Sequence, residues 1–378
     1  MTTLLDYCER ELPWAIELIE ALVRLESPSG DAAAINACMA ALESRLCEIG
    51  GSAARIAGGP AGDHLKVEFG SGPRQVLLLG HIDTVWPAGT IASRPLRSEE
   101  GRLYGPGVFD MKAGLALAAL AIKAVRQDGD APPGRVAMLV TADEETGSRT
   151  SRALIEAEAR SSEAVLVLEP ALPGGALKTS RKGCGGFELR VVGRAAHAGI
   201  EPERGASAVS ELARQVTRIE SLSDPAAGTT VTVGVVRGGT LPNVVPAEAQ
   251  ALIDVRAATA AEAARVTAAL STLTPADQRT SLAVSGGFDR PPMERSAGTA
   301  RLFALAREVA AGLGRELGEG GTGGGSDGNL TAAIGVPTLD GLGAVGGGAH
   351  AADEHVETAE LAWRAALLAG LLRRILAV

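Results

Sequence analysis

Short apolar runs that end in charged or imidazole side chains recur along the first half of the chain. The run at residues 76–79 is too short for a helix, and Gly80 separates it from His81 and Asp83. Side chains two residues apart on an extended chain point to the same side. The pattern therefore predicts a buried strand that presents an imidazole and a carboxylate together at its end, where open α/β sheets place their functional groups.

Two amphipathic helices are predicted before this strand. Apolar residues recur at helical spacing over residues 5–25, and Pro13 is expected to mark the true start of that helix or a break in it. Asp31 is expected to cap the second helix, which Gly50 and Gly51 end.

An acidic residue follows each of the next two predicted strands. Glu144 and Glu145 follow one strand, Glu169 follows the other, and Asp110 lies where a loop enters a helix. The predicted strands cover residues 65–69, 135–141 and 164–168, and the predicted helices cover residues 112–127 and 149–159. This order predicts an α/β fold with a mostly parallel central sheet flanked by helices.

The pattern changes from about Gly183. Strands are predicted at residues 187–192, 229–236, 249–256 and 281–285, with helices at residues 207–222 and 260–273. This β-α-β-β-α-β order is that of a ferredoxin-like domain. Helices at residues 296–312 and 359–376 return to the earlier style. We therefore predict a discontinuous catalytic domain, residues 1–182 and 293–378, with an inserted lid or dimerisation domain at residues 183–292.

Composition narrows the class of protein. The 378 residues carry a net charge of −9 and no basic stretch, which argues against nucleic acid and anionic membrane partners. No apolar run approaches the length of a membrane span, and the first residues do not resemble a signal peptide, so a cytoplasmic protein is expected. The four cysteines lack CxxC spacing and are expected to be reduced core residues: Cys8, Cys38, Cys47 and Cys184.

The imidazoles and acids at the strand ends allow two interpretations. Acids near helix N-termini often cap the helix, which would account for Glu144 and Glu145 on their own. Metal binding accounts better for several such groups at one edge of the sheet, together with His350 in a glycine-rich loop. Imidazole and carboxylate ligands suit zinc or Mn²⁺, and this number of ligands suffices for two ions.

Six segments in order carry a family resemblance: GHIDTV, YGPGVFDMKAG, TADEETGS, VLEP, RAAHAG and GAHAADEHV. They resemble the motif set of the dizinc metallopeptidase family, which includes glutamate carboxypeptidase, aminoacylase and succinyl-diaminopimelate desuccinylase. The resemblance spans about residue 10 to the C-terminus, and carboxypeptidase G-type members are the most similar.

The resemblance implies a metal centre with two Zn²⁺ ions, for which Mn²⁺ or Co²⁺ are possible substitutes. The implied ligands are His81, Asp110, Glu145, Glu169 and His350. Asp110 would bridge both ions, Glu145 and His350 would serve one, and His81 and Glu169 the other.

The resemblance also assigns three groups around the metals. Glu144 is implied as the general base, and Asp83 as the carboxylate that accepts the ring N–H of His81. His197 is implied as the oxyanion donor, which in this family commonly reaches across from the partner subunit, so a homodimer through the inserted domain is expected. A turn histidine is the alternative for His197.

A substrate carboxylate needs donors as well. The resemblance implies Arg256 and Asn243, because a guanidinium fork can bind a carboxylate through two hydrogen bonds; an ordinary strand-end residue is the alternative for Arg256. Gly324 and Gly325 lie in a glycine-rich stretch that lacks a Walker lysine, so it is interpreted as a wall of backbone amides around that carboxylate rather than a nucleotide loop. The remaining polar residues are His355, which stays unassigned, and Arg181 and Lys182, which are expected in solvent or, alternatively, against an acidic substrate.

The leading interpretation is a metal-dependent hydrolase that cleaves the amide bond before a C-terminal amino acid, with glutamate as a candidate. Its substrate would be a small N-acyl amino acid or peptide. An aminoacylase, another N-deacylase or a dipeptidase would use the same metals. An inactive family member acting as a binding protein is the alternative from another class, and Glu144 argues against it because binding alone needs no base.

Overall fold

The computed structural model describes residues 3–127 and 134–377. In chain order its helices are α1 (Leu4–Arg24), α2 (Ala32–Glu48), α3 (Thr90–Ser93), α4 (Ala113–Val125), α5 (Arg152–Arg160), α6 (Ala208–Glu220), α7 (Ala260–Ser271), α8 (Ala297–Gly312), α9 (Gly328–Ala333) and α10 (Thr358–Ala377). Its strands are β1 (Ser52–Ile56), β2 (His64–Gly70), β3 (Gln75–His81), β4 (Arg97–Glu99), β5 (Arg102–Tyr104), β6 (Arg135–Thr141), β7 (Ala164–Val167), β8 (Leu177–Arg181), β9 (Gly183–Val192), β10 (Thr230–Gly238), β11 (Glu248–Ala257), β12 (Ser281–Arg290), β13 (Glu319–Thr322), β14 (Thr338–Leu339), β15 (Gly346–Gly347) and β16 (His355–Glu357).

The chain divides into two compact units. The first comprises Met1–Ser180, Arg295–Gly321 and Ser326–Val378, and the second comprises Arg181–Glu294 and Thr322–Gly325. The predicted inserted domain spans residues 183–292, and residues 322–325 are predicted to belong to the catalytic domain. The structure places them in the second unit, where the Lys182 amide donates a hydrogen bond to the Thr322 carbonyl.

A six-stranded sheet forms the centre of the first unit, in the order β1-β2-β6-β3-β7-β14. The pairs β6–β3, β3–β7 and β7–β14 are parallel, and β1 and β2 add an antiparallel edge. Helices flank this mostly parallel sheet, which confirms the predicted fold class at this level.

Strand β3 is buried along its whole length because both faces of the sheet are covered. Val76 and Leu78 belong to the main apolar core, which α1, α4 and α10 also supply. Leu77 and Leu79 belong to a second apolar cluster on the other face, with side chains of α5 and α9. Burial on both faces explains why this strand is a continuous apolar run rather than an alternating one.

Helix α1 runs through Pro13 without a break, so the prediction that Pro13 marks its start or an interruption is wrong. The helix begins after Thr3, whose side chain accepts a hydrogen bond from the Asp6 amide while the Asp6 carboxylate accepts one from the Thr3 amide. Pro13 removes the donor for the Glu9 carbonyl, and both residues are exposed, so water can replace that bond.

The second unit follows the order β9-α6-β10-β11-α7-β12, as predicted. Its antiparallel sheet has the order β10-β11-β9-β12, and apolar side chains of α6 and α7 pack on one face. Of the nine large apolar side chains that are exposed in the described part of the chain, seven lie in this unit: Val192, Ile200, Val209, Val235, Val236, Leu241 and Leu252.

The cysteines differ in burial. All four are free thiols; Cys8 and Cys38 are buried as predicted, and Cys184 is half-buried. The core prediction is wrong for Cys47, which is exposed because each helical residue turns about 100° from its neighbour and Leu46 takes the core-facing position. Among the described residues, no helix has both the length and the hydropathy that crossing a membrane requires.

Candidate metal centre

The ends of two parallel strands bring the first imidazole and carboxylate together. His81 is the last residue of β3, and Glu169 follows the end of its neighbour β7 by two residues. Leu79 pairs with Val167, so both chains leave the sheet at the same edge. Asp110 reaches this edge from a single π-type turn, Val108–Lys112, that precedes α4.

Five side chains form two clusters that share Asp110. Nε2 of His81 lies 3.3 Å from Asp110 Oδ1 and 3.4 Å from Glu169 Oε1. Nε2 of His350 lies 3.3 Å from Asp110 Oδ2 and 3.2 Å from Glu145 Oε1. Each oxygen of Asp110 therefore faces a different imidazole, which is the arrangement of a bridging carboxylate.

The spacing of these atoms fits divalent ions. In a tetrahedral site with metal–ligand bonds of about 2.0–2.2 Å, neighbouring ligand atoms lie about 3.3–3.6 Å apart. Three of the four distances above fall in this range and the fourth, 3.2 Å, lies just below it, and each cluster supplies three possible ligands. Oδ1 of Asp110 is buried without a hydrogen-bond partner, as expected for an oxygen that a cation satisfies. The residues present thus fit two metal ions.

Burial and the neighbouring carboxylates have opposite effects on the pKa values of His81 and His350. Burial lowers the pKa of His81, but the carboxylates of Asp110, Asp83 and Glu169 outweigh it and raise that pKa well above its usual value. Asp110 and Glu145 raise the pKa of His350 to about 10. Both imidazoles therefore hold a proton more tightly than an isolated histidine does, and a metal ion that binds there would compete with that proton.

Asp83 holds the loop that carries the adjacent glutamates. Its carboxylate accepts the backbone amides of Glu144 at 3.1 Å and Glu145 at 3.2 Å, and the Ser29 hydroxyl at 2.8 Å. The ring Nδ1 of His81 lies 3.0 Å from the Asp83 main-chain carbonyl and 3.5 Å from the carboxylate. The carbonyl of Asp83 is thus the closer acceptor for the His81 ring, and the carboxylate, which the sequence predicts as the acceptor, lies within 3.5 Å and also orders the glutamate loop.

Asp143 and His64 stabilise the same loop, and sequence reasoning missed both. Asp143 is buried and accepts hydrogen bonds from the Thr150 amide and hydroxyl and from the Ser151 hydroxyl, at 2.6–2.8 Å. The His64 ring accepts the Ala142 amide at Nδ1 and contacts the Thr150 hydroxyl through Nε2. Asp143 could have been predicted from its place inside the segment TADEETGS. Nothing in the sequence pattern pointed to His64.

The second unit brings His197 and Asn243 onto neighbouring backbone segments. His197 and Val244 form an antiparallel bridge, and the Ala198 amide donates to the Asn243 carbonyl. Nδ1 of the exposed His197 ring accepts the Gly199 amide at 3.1 Å. A neutral His197 therefore carries its proton on Nε2, which leaves that atom as a donor.

Arg256 already binds a carboxylate. Its Nε and one terminal nitrogen each donate to Asp254 at 3.0 Å, and the other terminal nitrogen donates to the Cys184 thiol at 2.6 Å. The Gly324 amide donates to the Thr322 hydroxyl at 3.4 Å. The Gly325 amide contacts the Cys184 thiol.

The three remaining polar residues lie outside the two metal clusters. Arg181 is buried and donates to the carbonyls of Gly324 and Gly325 at 3.1 Å, so the prediction that it is solvated is wrong. Those glycine carbonyls supply acceptors that replace water. Lys182 is half-buried, and His355 packs its ring against Tyr104.

Comparison with known proteins gives one consistent result. The family model for peptidase family M20/M25/M40 matches residues 77–374. Carboxypeptidase G2 from Pseudomonas sp. (strain RS-16) is 33% identical over 352 residues, covering 90% of this chain and 84% of that protein. A succinyl-diaminopimelate desuccinylase from Xanthomonas oryzae pv. oryzae is 30% identical over 358 residues, covering 90% and 93%. The crystal structure of an aminopeptidase PepT from Bacillus cereus superimposes with a TM-score of 0.82 at 23% identity, over 98% of this chain and 99% of that one.

Proposed function

The chain belongs to peptidase family M20/M25/M40 and is a hydrolase of that family, and we propose that it cleaves the amide bond before a C-terminal amino acid. The observation that carries the proposal is Asp110, whose two oxygens face two different imidazoles. The similarity to carboxypeptidase G2 supports glutamate as the released amino acid.

We assign two Zn²⁺ ions to this centre, with Mn²⁺ or Co²⁺ as substitutes. His81 and Glu169 would hold one ion, Glu145 and His350 the other, and Asp110 both. When bound, divalent ions supply Lewis-acid chemistry, because they polarise a carbonyl and lower the pKa of water.

Glu144 is the proposed general base. The carboxylate of its neighbour Glu145 is directed to His350, and the Glu144 carboxylate acts electrostatically on His81, whose pKa it raises. Asp83 accepts the amides of both residues and so holds the two glutamates on one turn. Glu144 would take a proton from the attacking water and deliver it to the leaving nitrogen.

His197 is the proposed donor to the oxyanion that develops on the substrate. The Gly199 amide at Nδ1 supports this role, since it keeps the proton of a neutral ring on Nε2. As the family resemblance implies, His197 would act in the site of the partner subunit. The exposed apolar side chains of the second unit support a homodimer formed through that unit.

We propose Arg256, Asn243, Gly324 and Gly325 as the contacts for the substrate carboxylate. The two-point pair between Arg256 and Asp254 supports this, because the guanidinium already takes a carboxylate in the geometry that a substrate would require. Substrate binding would then exchange one carboxylate for another. A cytoplasmic location is proposed from the free thiols.

An N-deacylase is the second candidate, since the similarity to a desuccinylase covers as much of the chain. The test is amino-acid release by metal-stripped protein, with and without added Zn²⁺, from acyl-glutamates, other N-acyl amino acids and dipeptides. Zinc-restored release of glutamate alone supports the carboxypeptidase assignment. Release from the other N-acyl amino acids or from dipeptides moves the protein to the deacylases or dipeptidases. No release by a protein that binds two ions favours a binding protein and contradicts the proposal.

Substitutions of the two adjacent glutamates distinguish the proposed base from the proposed metal ligand. Glu144→Gln is expected to lower kcat by about 10²–10⁴-fold and to keep both ions, because only proton transfer is lost. Glu145→Gln is the matched control and is expected to lose one ion. Full activity of Glu144→Gln would exclude its role as the base.

A further inference from the structure

A buried carboxylate outside the predicted ligand set binds the loop that carries Asp110. Glu354 is 3% exposed. Its Oε1 accepts the amides of Phe109 at 2.9 Å and Asp110 at 3.1 Å. Its Oε2 accepts the amide of Gly107 at 2.8 Å and the Trp86 indole at 2.7 Å. Both oxygens are thus satisfied, and three of the four donors lie on the loop that carries Asp110.

The backbone of Glu354 closes the loop that carries His350. The Glu354 amide donates to the Ala351 carbonyl at 3.2 Å, and the Ala351 amide donates to the Gly348 carbonyl at 2.8 Å. His350 lies inside this turn with a φ of +60°, a backbone conformation that non-glycine residues rarely adopt. One residue therefore connects two ligand loops that are 240 positions apart in the sequence.

The other half of the metal centre does not depend on this connection. His81 ends β3 and Glu169 follows β7, and the parallel pairing of these strands fixes both chains at the sheet edge. Glu145 is held by Asp83. Only the cluster of Asp110, Glu145 and His350 draws two of its three ligands from the loops that Glu354 joins.

We propose that Glu354 is a positioning residue that sets the metal affinity of the cluster formed by Asp110, Glu145 and His350. It acts through four charge-assisted hydrogen bonds, which hold the Asp110 backbone against the His350 turn. This inference rests on the proposed two-metal centre and adds that the two metal sites are supported unequally.

The test is a Co²⁺ titration of the metal-stripped, full-length protein, followed by visible absorption and calorimetry. Glu354→Gln keeps the side-chain volume but presents an NH₂ group to one pair of the four donors. The expected result is a second Co²⁺ equivalent about 10–100-fold weaker than in the wild type, with a smaller change in the first.

Glu211→Gln is the matched control. Glu211 is a fully buried carboxylate in the second unit that accepts the amides of Ala276 and Asp277, each at 2.9 Å, and the Gln215 side chain. Its substitution removes a comparable set of bonds away from the metal ligands, so both Co²⁺ equivalents are expected to bind as in the wild type.

Three titration results would overturn the proposal: an unchanged second equivalent, equal weakening of both equivalents, or the same weakening in Glu211→Gln. A wild-type protein that binds fewer than two ions would instead refute the metal centre on which the inference rests.

If Glu354→Gln does not fold, hydrogen exchange of the metal-free wild-type protein tests the proposal instead. The amides of Gly107, Phe109 and Asp110 are expected to be protected without metal, and exchange at exposed-loop rates would contradict the proposal.

Discussion

The two halves of the proposed metal centre carry similar candidate ligands on different kinds of backbone. His81 and Glu169 lie at the ends of buried parallel strands, and their side chains are 2% and 9% exposed. Glu145 and His350 lie on loops, and the His350 side chain is 50% exposed. Parallel pairing of β3 and β7 places the first pair at the sheet edge. Glu145 lies four residues beyond the end of β6, and His350 lies in the loop between β15 and β16.

Buried carboxylates hold the ligand loops in place through hydrogen bonds, as strand pairing holds the strands. Asp83 accepts the amides of Glu144 and Glu145. Asp143 accepts the Thr150 amide and the hydroxyls of Thr150 and Ser151, and Glu354 joins the other two ligand loops. In this protein, buried carboxylates pair backbone amides of the glutamate loop and of the Asp110 loop, where unpaired amides would be costly.

The largest effect on metal binding is expected when the residue common to both halves is substituted. Asp110→Ala is expected to weaken both ions by more than the roughly 100-fold typical of outer-shell changes, and to abolish hydrolysis. Metal content after dialysis and amino-acid release would measure this. Asp31→Ala, at the N-cap of α2, is the control; it is expected to cost about 1 kcal/mol of stability and to keep both ions. An Asp110→Ala protein that retains either ion tightly would contradict the bridging assignment.

Substituting each of the two histidines in turn distinguishes the two halves of the centre. His81→Ala and His350→Ala are each expected to lose one ion. His81→Ala should also lower the unfolding free energy of the metal-free protein by about 1–3 kcal/mol, because it leaves the buried Asp83 carbonyl without its donor. His350→Ala should cost less, since its side chain is half-exposed. Metal analysis and urea unfolding measure both, and equal stability losses would refute the difference between the halves.

A smaller effect is expected from the support of the glutamate loop. Asp143→Asn replaces one acceptor oxygen with a donor facing Thr150 or Ser151, and is expected to lower kcat about 10–100-fold with the ion at His81 and Glu169 retained. Asp224→Asn alters a turn carboxylate in the second unit and should leave kcat unchanged. A full-activity Asp143→Asn protein would show that the loop needs no such acceptor.

The smallest expected effect is the contribution of His64 to the pH dependence of stability. Burial lowers the pKa of His64 below its usual 6.5, although Asp143, Asp327, Asp83 and Asp63 oppose this. The unfolded chain therefore binds a proton more readily, so stability is lost as pH falls below about 6.5. Urea unfolding across this range should show a loss in the wild type that is reduced in His64→Asn, which keeps an acceptor for the Ala142 amide. Identical pH profiles would indicate that His64 does not contribute.

The sequence by itself determined strands β2, β3, β6 and β7 of the central sheet and the types of candidate ligand at its edge. Strand β6 has the predicted bounds, β3 extends the predicted run by one residue at the start and two at the end, and His81, Asp110 and Glu169 meet at the predicted sheet edge. These features follow from periodicity and from the geometry of neighbouring residues, which a single sequence displays.

Only the tertiary structure decided which groups support those ligands. The Gly107 amide and the Glu354 carboxylate are 247 residues apart, and no periodicity links them. The burial of Arg181 and the continuity of α1 through Pro13 likewise depend on acceptors or solvent that distant packing provides or excludes. A buried polar group needs a partner, and in this protein the fold selects that partner from segments that the sequence does not bring together.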